Sequence, residues 1–93
     1  KPERKQQQVE HAPHISSKAK LVKLADKICN LRDVLASPPA DWPPQRKLAY
    51  FEWAAQVVMG LRGCNAALEA AFDEVYQRGV AQFTRIVDQS PTG

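Results

Sequence analysis

Ninety-three residues with 44% apolar content, 25% charged content and a formal charge of +3 describe one small globular domain. They exclude both a second domain and wholesale disorder. A chain of this size buries only about 60–65% of the surface its unfolded form exposes, so its core is marginal. Two cysteines, Cys29 and Cys64, are too few for a disulfide framework and point to reduced thiols in a cytoplasmic setting. No apolar run approaches the about 18 residues of a membrane span, and no charged-then-apolar leader opens the sequence. The first residue is Lys1, which leads us to expect an upstream piece.

The polar residues 1–12 read as a helix end without a sustained apolar stripe, interrupted by Pro13. Ser16 or Ser17 then offers a hydroxyl cap for a helix over 17–36. Leu21, Leu24, Ala25, Ile28, Leu31 and Leu35 form its apolar face. Lys20, Lys23 and Lys27 fall on one flank. Asp26, Asn30 and Asp33 form a polar stripe roughly opposite the apolar face, flanked by Val22 and Cys29. Residues 37–44 form a loop whose four prolines remove amide donors and favour extended backbone, with Trp42 placed to pin it to the body.

A third helix over 45–62 is apolar nearly all round, with Leu48, Phe51, Ala55 and Val58 on one side and Tyr50, Trp53 and Val57 on another. Such a helix is normally central, and this short chain offers few neighbours to cover it. Gly60 and Gly63 terminate it, Gly63 just past its end. Asn65 caps a fourth helix over 66–78 that turns Leu68, Ala71, Phe72, Val75 and Tyr76 inward. Gly79 ends this helix, residues 80–88 make a further short one, and 90–93 fray. No segment alternates like a strand, so the fold class is all-α, a helical bundle.

Charge divides along the chain. Residues 1–32 carry eight basic and three acidic side chains, and residues 33–93 carry five and seven. The basic half suits an anionic ligand such as a phosphate, a nucleotide or nucleic acid; a solvated lysine face is the plainer reading. His11-x-x-His14 has metal-like spacing, but Pro13 keeps the pair off a regular helix, and exposed loop histidines are favoured. Gly60-Leu61-Arg62-Gly63 matches the phosphate-clamping loop of KH modules, whose fold needs a sheet that is not visible here. Cys29 and Cys64, on helices beside apolar residues, read as small packing hydrophobes. No nucleophile, base and orienter set is present. The strongest local signal is Leu24-Ala25-Asp26-Lys27-Ile28-Cys29-Asn30-Leu31-Arg32-Asp33. In it Asp26 and Asn30 stand at i and i+4, where they can face one polar ligand.

That stretch, with Lys20-Leu21-Val22-Lys23 before it, resembles the late helix of the HD-type (p)ppGpp 3′-pyrophosphohydrolases, the family of the SpoT/RelA hydrolase domains and their small metazoan homologues. The resemblance extends through Glu3-Arg4-Lys5, Gln8-Val9-Glu10, Ala12-Pro13-His14, Tyr50-Phe51-Glu52-Trp53-Ala54-Ala55-Gln56-Val57-Val58 and Gln77-Arg78-Gly79, roughly residues 1–79. The Tyr50–Val58 run is specific to the animal branch. The resemblance implies an all-α bundle around one divalent metal, usually manganese, and removal of the 3′-pyrophosphate from ppGpp; the animal members also act as NADPH phosphatases. It implies that Asp26 is a metal ligand and that Lys1, Asn30, Arg46 and Tyr50 contact the nucleotide.

The departures from the family are as informative. The His-Asp ligand pair and the Glu-Asp pair that orients the attacking water are absent, so no catalytic residue of the family set lies in this chain. Cys29 replaces the aromatic expected before Asn30. The loop at 36–41 differs, and residues 80–93 form an extension without resemblance. The expectation is the C-terminal half of a manganese-dependent hydrolase domain, inactive alone. The alternative is a non-enzymatic helical module that binds a protein partner, nucleic acid or a second copy of itself through exposed apolar surface.

Overall fold

The computed structural model describes residues 2–37 and 40–89, with the side chains of 4–37 and 40–86. Four α-helices follow in order: α1 (Pro2–His11), α2 (Ser17–Ala36), α3 (Pro44–Met59) and α4 (Ala66–Gln89), with a single 3-10 turn at Ala12–His14 between the first two. No strand occurs among the described residues, and no described helix is long and apolar enough to cross a membrane. The longest helix, α4, packs along both α2 and α3, while α1 and the 3-10 turn lie against α3.

Local chemistry sets most of the helix limits. Of the two candidate serines, Ser16 caps α2: it has extended backbone, and its Oγ accepts from the Ala19 N–H at 3.2 Å. Pro44 occupies the first turn of α3, where its missing N–H costs nothing. Asn65 Oδ1 accepts from the Leu68 N–H at 2.9 Å and starts α4. α3 ends at Met59, three residues before its expected limit, with Gly60 as the cap. Gly63, at φ 99°, carries the chain through the turn into α4.

The end of α4 corrects the sequence reading. The helix does not stop at Gly79, nor does a separate helix follow; it runs unbroken to Gln89. Gly79 is there because the Phe51 ring lies against its backbone, leaving no room for a Cβ. The glycine thus serves interhelical contact, and the propensity cost of a mid-helix glycine is outweighed by the packing it permits. The next turn delivers Phe83, fully buried, edge-on to Phe51 with centroids 5.5 Å apart. Residues 90–93, expected to fray, lie outside the described residues.

The core is built from Leu24, Ile28, Leu31 and Val34 of α2, Phe51, Ala54, Val57 and Val58 of α3, Leu61, and Phe72, Val75 and Phe83 of α4. The third helix is therefore central, as its pattern implies. It is also better covered than expected, because the uninterrupted α4 supplies two more turns of partner surface. Of its large apolar side chains Met59 is left exposed; Val22 of α2 is similarly open. Leu48 and Ala55 are half-buried at the edge of the core.

Candidate functional site

The apolar face of α2 turns Leu24, Ile28, Leu31 and Val34 into the core, which sets Asp26 and Asn30 away from it one helical turn apart. Asp26 is exposed and Asn30 half-buried. The Asn30 amide donates to Asp26 Oδ2 at 3.4 Å, a long hydrogen bond that orients the carboxylate without consuming its other lone pairs. Across from this pair, α3 presents Tyr50. Its phenol is held above the ordinary tyrosine range, first by burial and then by the nearby Asp26 carboxylate. Tyr50 therefore remains a proton donor facing a negative group.

Arg46 stands one turn before Tyr50 on α3, exposed, with its guanidinium carbon 4.4 Å from the centroid of the Trp42 ring. Trp42 in turn meets Tyr50 edge-on at 5.6 Å. The expected anchoring of the loop by Trp42 is thus made through these two side chains. Tyr50 continues to Trp53 at 5.6 Å. The Trp53 ring has the Lys27 ammonium 4.4 Å and the Lys5 ammonium 5.4 Å from its centroid. Its indole N–H donates to the Lys5 carbonyl at 3.1 Å, which ties α1 to α3.

Lys27 is a correction. Sequence reading placed it with Lys20 and Lys23 on one basic flank, but it is buried, Lys20 is half-buried and only Lys23 is exposed. Burial pushes its ammonium below the ordinary lysine range; the neighbouring Asp26 opposes that shift and Lys23 adds to it. The signal was present in the spacing, since position 27 falls between core positions 24, 28 and 31. Lysine chemistry masked it, and Trp53 was assigned only to a helix face. The basic surface that a nucleic-acid reading would use is correspondingly smaller.

The remaining candidates separate cleanly. Lys1 lies outside the described residues. His11 and His14 are exposed at the end of α1 and in the 3-10 turn. Cys29 is exposed rather than packed, and half-buried Cys64 sits in the turn before α4 rather than on a helix. The Gly60–Gly63 segment is a helix terminator. Arg62 between the glycines holds Asp73 at 2.6 Å and Glu69 at 3.3 Å, while the Gly63 N–H donates to Glu69 at 2.9 Å. These bonds hold the Arg62 guanidinium above its usual range.

Asp26 offers one hard oxygen donor of the kind manganese prefers. Among the described residues, however, no three His, Cys, Asp or Glu side chains converge on a point. The residues present therefore do not fit a complete divalent site.

No family model matches the chain. It is 59% identical over 81 residues to guanosine-3′,5′-bis(diphosphate) 3′-pyrophosphohydrolase MESH1 of Danio rerio, covering 86% of this chain and 45% of that protein. The Homo sapiens MESH1 is 57% identical over 79 residues, covering 84% and 44%. The Drosophila melanogaster MESH1 is 51% identical over 81, covering 86% and 45%. A solved structure of a metazoan orthologue of SpoT, described as hydrolysing ppGpp and acting in starvation responses, matches with a TM-score of 0.79 at 51% identity, over 86% of this chain and 46% of that one. The chain spans about half the length of the curated relatives it matches, and its four helices correspond to part of that solved fold.

Proposed function

Because this chain is a homologue of the MESH1 ppGpp hydrolases over most of its own length and about half of theirs, we propose that residues 1–79 form the C-terminal, nucleotide-facing portion of a (p)ppGpp 3′-pyrophosphohydrolase domain. In that role Asp26 contributes one carboxylate towards a divalent ion, manganese by resemblance, and Asn30 orients it. Arg46, with Lys1, neutralises phosphate charge, and Tyr50 donates a hydrogen bond from a phenol that stays protonated. The ligand is a nucleotide with several phosphates, ppGpp first and NADPH second. The observation that carries the reading is the 51–59% identity across a stretch in which Asn30 bonds Asp26 and the Asp26 carboxylate acts on the Tyr50 phenol. Turnover needs ligands beyond the single carboxylate supplied by the described residues, because an octahedral ion requires a preorganised donor set. No hydrolytic step is therefore assigned to the chain by itself.

The test uses the purified 93-residue chain with manganese. We expect no pyrophosphate release from ppGpp and no phosphate release from NADPH. We expect weak, salt-sensitive ppGpp binding that Arg46→Ala and Tyr50→Phe reduce. The N-terminal half of the Danio rerio MESH1 added in trans is expected to give pyrophosphate release that Asp26→Ala abolishes. Turnover by the chain alone, or trans-restored turnover that survives Asp26→Ala, would overturn the reading.

A further inference from the structure

Two arginines of this chain are held in opposite ways. Arg62 spends its guanidinium edge on carboxylates, with Asp73 and Glu69 occupying its donors. Arg46 has no ion pair among the described residues; what it has is the face of Trp42, 4.4 Å away. The difference matters chemically. A guanidinium carries its five N–H donors in its own plane, so a carboxylate partner uses them up, whereas an aromatic partner engages the π-face and leaves the donor fork open. Phosphate recognition by arginine is an edge interaction, frequently bidentate. A stacked arginine is thus fixed in direction and still unspent as a phosphate donor.

The same indole also fixes the neighbouring donor. Trp42 meets Tyr50 edge-on at 5.6 Å, so one half-buried ring touches two polar side chains that lie a helical turn apart on α3. Without it, Arg46 is an exposed side chain on the first turn of a helix, with the rotamer freedom of any surface arginine. Ordering it on ligand binding would then cost entropy. Pro43 and Pro44, which lead into α3, also narrow the backbone freedom of Trp42, because a residue before proline is confined to extended conformations.

We propose that Trp42 is a positioning residue: its ring presents the Arg46 donor fork and the Tyr50 phenol together to the phosphates of a polyphosphorylated nucleotide. This rests on the nucleotide reading above and adds to it a side chain that acts through two others.

The experiment measures ppGpp affinity of the 93-residue chain calorimetrically for wild type, Trp42→Ala, Trp42→Phe, Arg46→Ala and the Trp42→Ala/Arg46→Ala double variant, with helix content followed by circular dichroism. Trp42→Ala is expected to weaken binding about two- to fivefold, the loss that removing an exposed cation–π contact produces. Trp42→Phe, which keeps an aromatic face, is expected to recover most of it. In the Arg46→Ala background the Trp42→Ala change is expected to have less than half its effect, because the residue it chiefly positions is gone. A merely structural tryptophan would instead lower helix content and weaken binding equally in both backgrounds, and that result overturns the proposal. Unchanged affinity in Trp42→Ala beside a clear loss in Arg46→Ala overturns the proposal and leaves the nucleotide reading standing. No loss in either variant overturns both.

Discussion

The Lys27 ammonium lies 4.4 Å from the centroid of the Trp53 ring, on a side chain buried in the fold. A cation so placed is favoured by the ring and by Asp26, yet desolvation is the larger effect and pushes its pKa below 10.5. The sign follows directly. Below the lowered folded-state value the ammonium is charged in both states, and the folded state carries the whole desolvation cost. That cost is relieved as pH rises through the folded value towards the unfolded one. Lys27→Met is therefore expected to be at least as stable as wild type at pH 7, by up to about 1 kcal/mol. The gain should shrink as pH approaches 10.5. Urea denaturation of both chains at pH 7 and pH 10 checks this; a loss above about 1 kcal/mol at pH 7 would mean that the contact with Trp53 outweighs desolvation.

Tyr50 carries the opposite alkaline dependence. Its folded-state pKa is raised above 10.0, so the proton is kept in the folded chain after the unfolded chain has lost it. The associated stability is whole below pH 10 and is lost as pH rises through the folded value. Tyr50→Phe removes that dependence. Between pH 9.5 and 11.5 wild type should lose stability more steeply than the variant, as read from urea midpoints at closely spaced pH values.

Phe83 tests whether the stretch beyond Gly79 belongs to the domain. The side chain is fully buried against Phe51. Truncation of a buried phenylalanine costs about 3–5 kcal/mol, against a total of about 5–15 kcal/mol for a domain. Phe83→Ala is expected to bring the chain near its unfolding threshold at 37 °C, and a thermal melt reads this directly. A melting temperature within a few degrees of wild type would show that the end of α4 contributes little to the core.

Glycine-to-alanine replacement inside a helix ordinarily gains about 0.5–1 kcal/mol. At Gly79 the outcome should reverse, because the new methyl meets the Phe51 ring and overpacking costs about 1–3 kcal/mol. Gly79→Ala should destabilise, and adding Phe51→Leu should return part of the loss. At Gly63 a Cβ meets nothing within 4 Å, so any cost of Gly63→Ala comes from the φ of 99° alone and should not respond to Phe51→Leu.

Much of this was legible in the sequence where the signal is local. The Ser16 and Asn65 caps, the helical face of α2 and the all-α class follow from hydroxyl, amide and spacing rules that act within a few residues. The failures have a common cause. Gly79 reads as a helix stop until the Phe51 ring is known to need its space, and Lys27 reads as surface until Trp53 is known to cover it. Both contacts are with an aromatic ring far away in sequence, although the spacing of Lys27 among core positions already pointed to its burial. In the candidate site the i and i+4 pair Asp26–Asn30 was visible, and Arg46 and Tyr50 came from the family resemblance. The ring that joins Arg46 to Tyr50 was read only as an anchor for the loop.

The hydrogen bond from the Trp53 indole to the Lys5 carbonyl also has an optical consequence. The chain has two tryptophans, and both stand beside Tyr50 in a single run of rings flanked by cations. Its indole emission therefore originates wholly from that run. Trp53 reports whether α1 is seated and whether the Lys27 proton is present, while Trp42 reports the placement of Arg46. Departure of α1 would bring water to the Trp53 indole N–H and shift its emission to the red, without any label attached to the molecule.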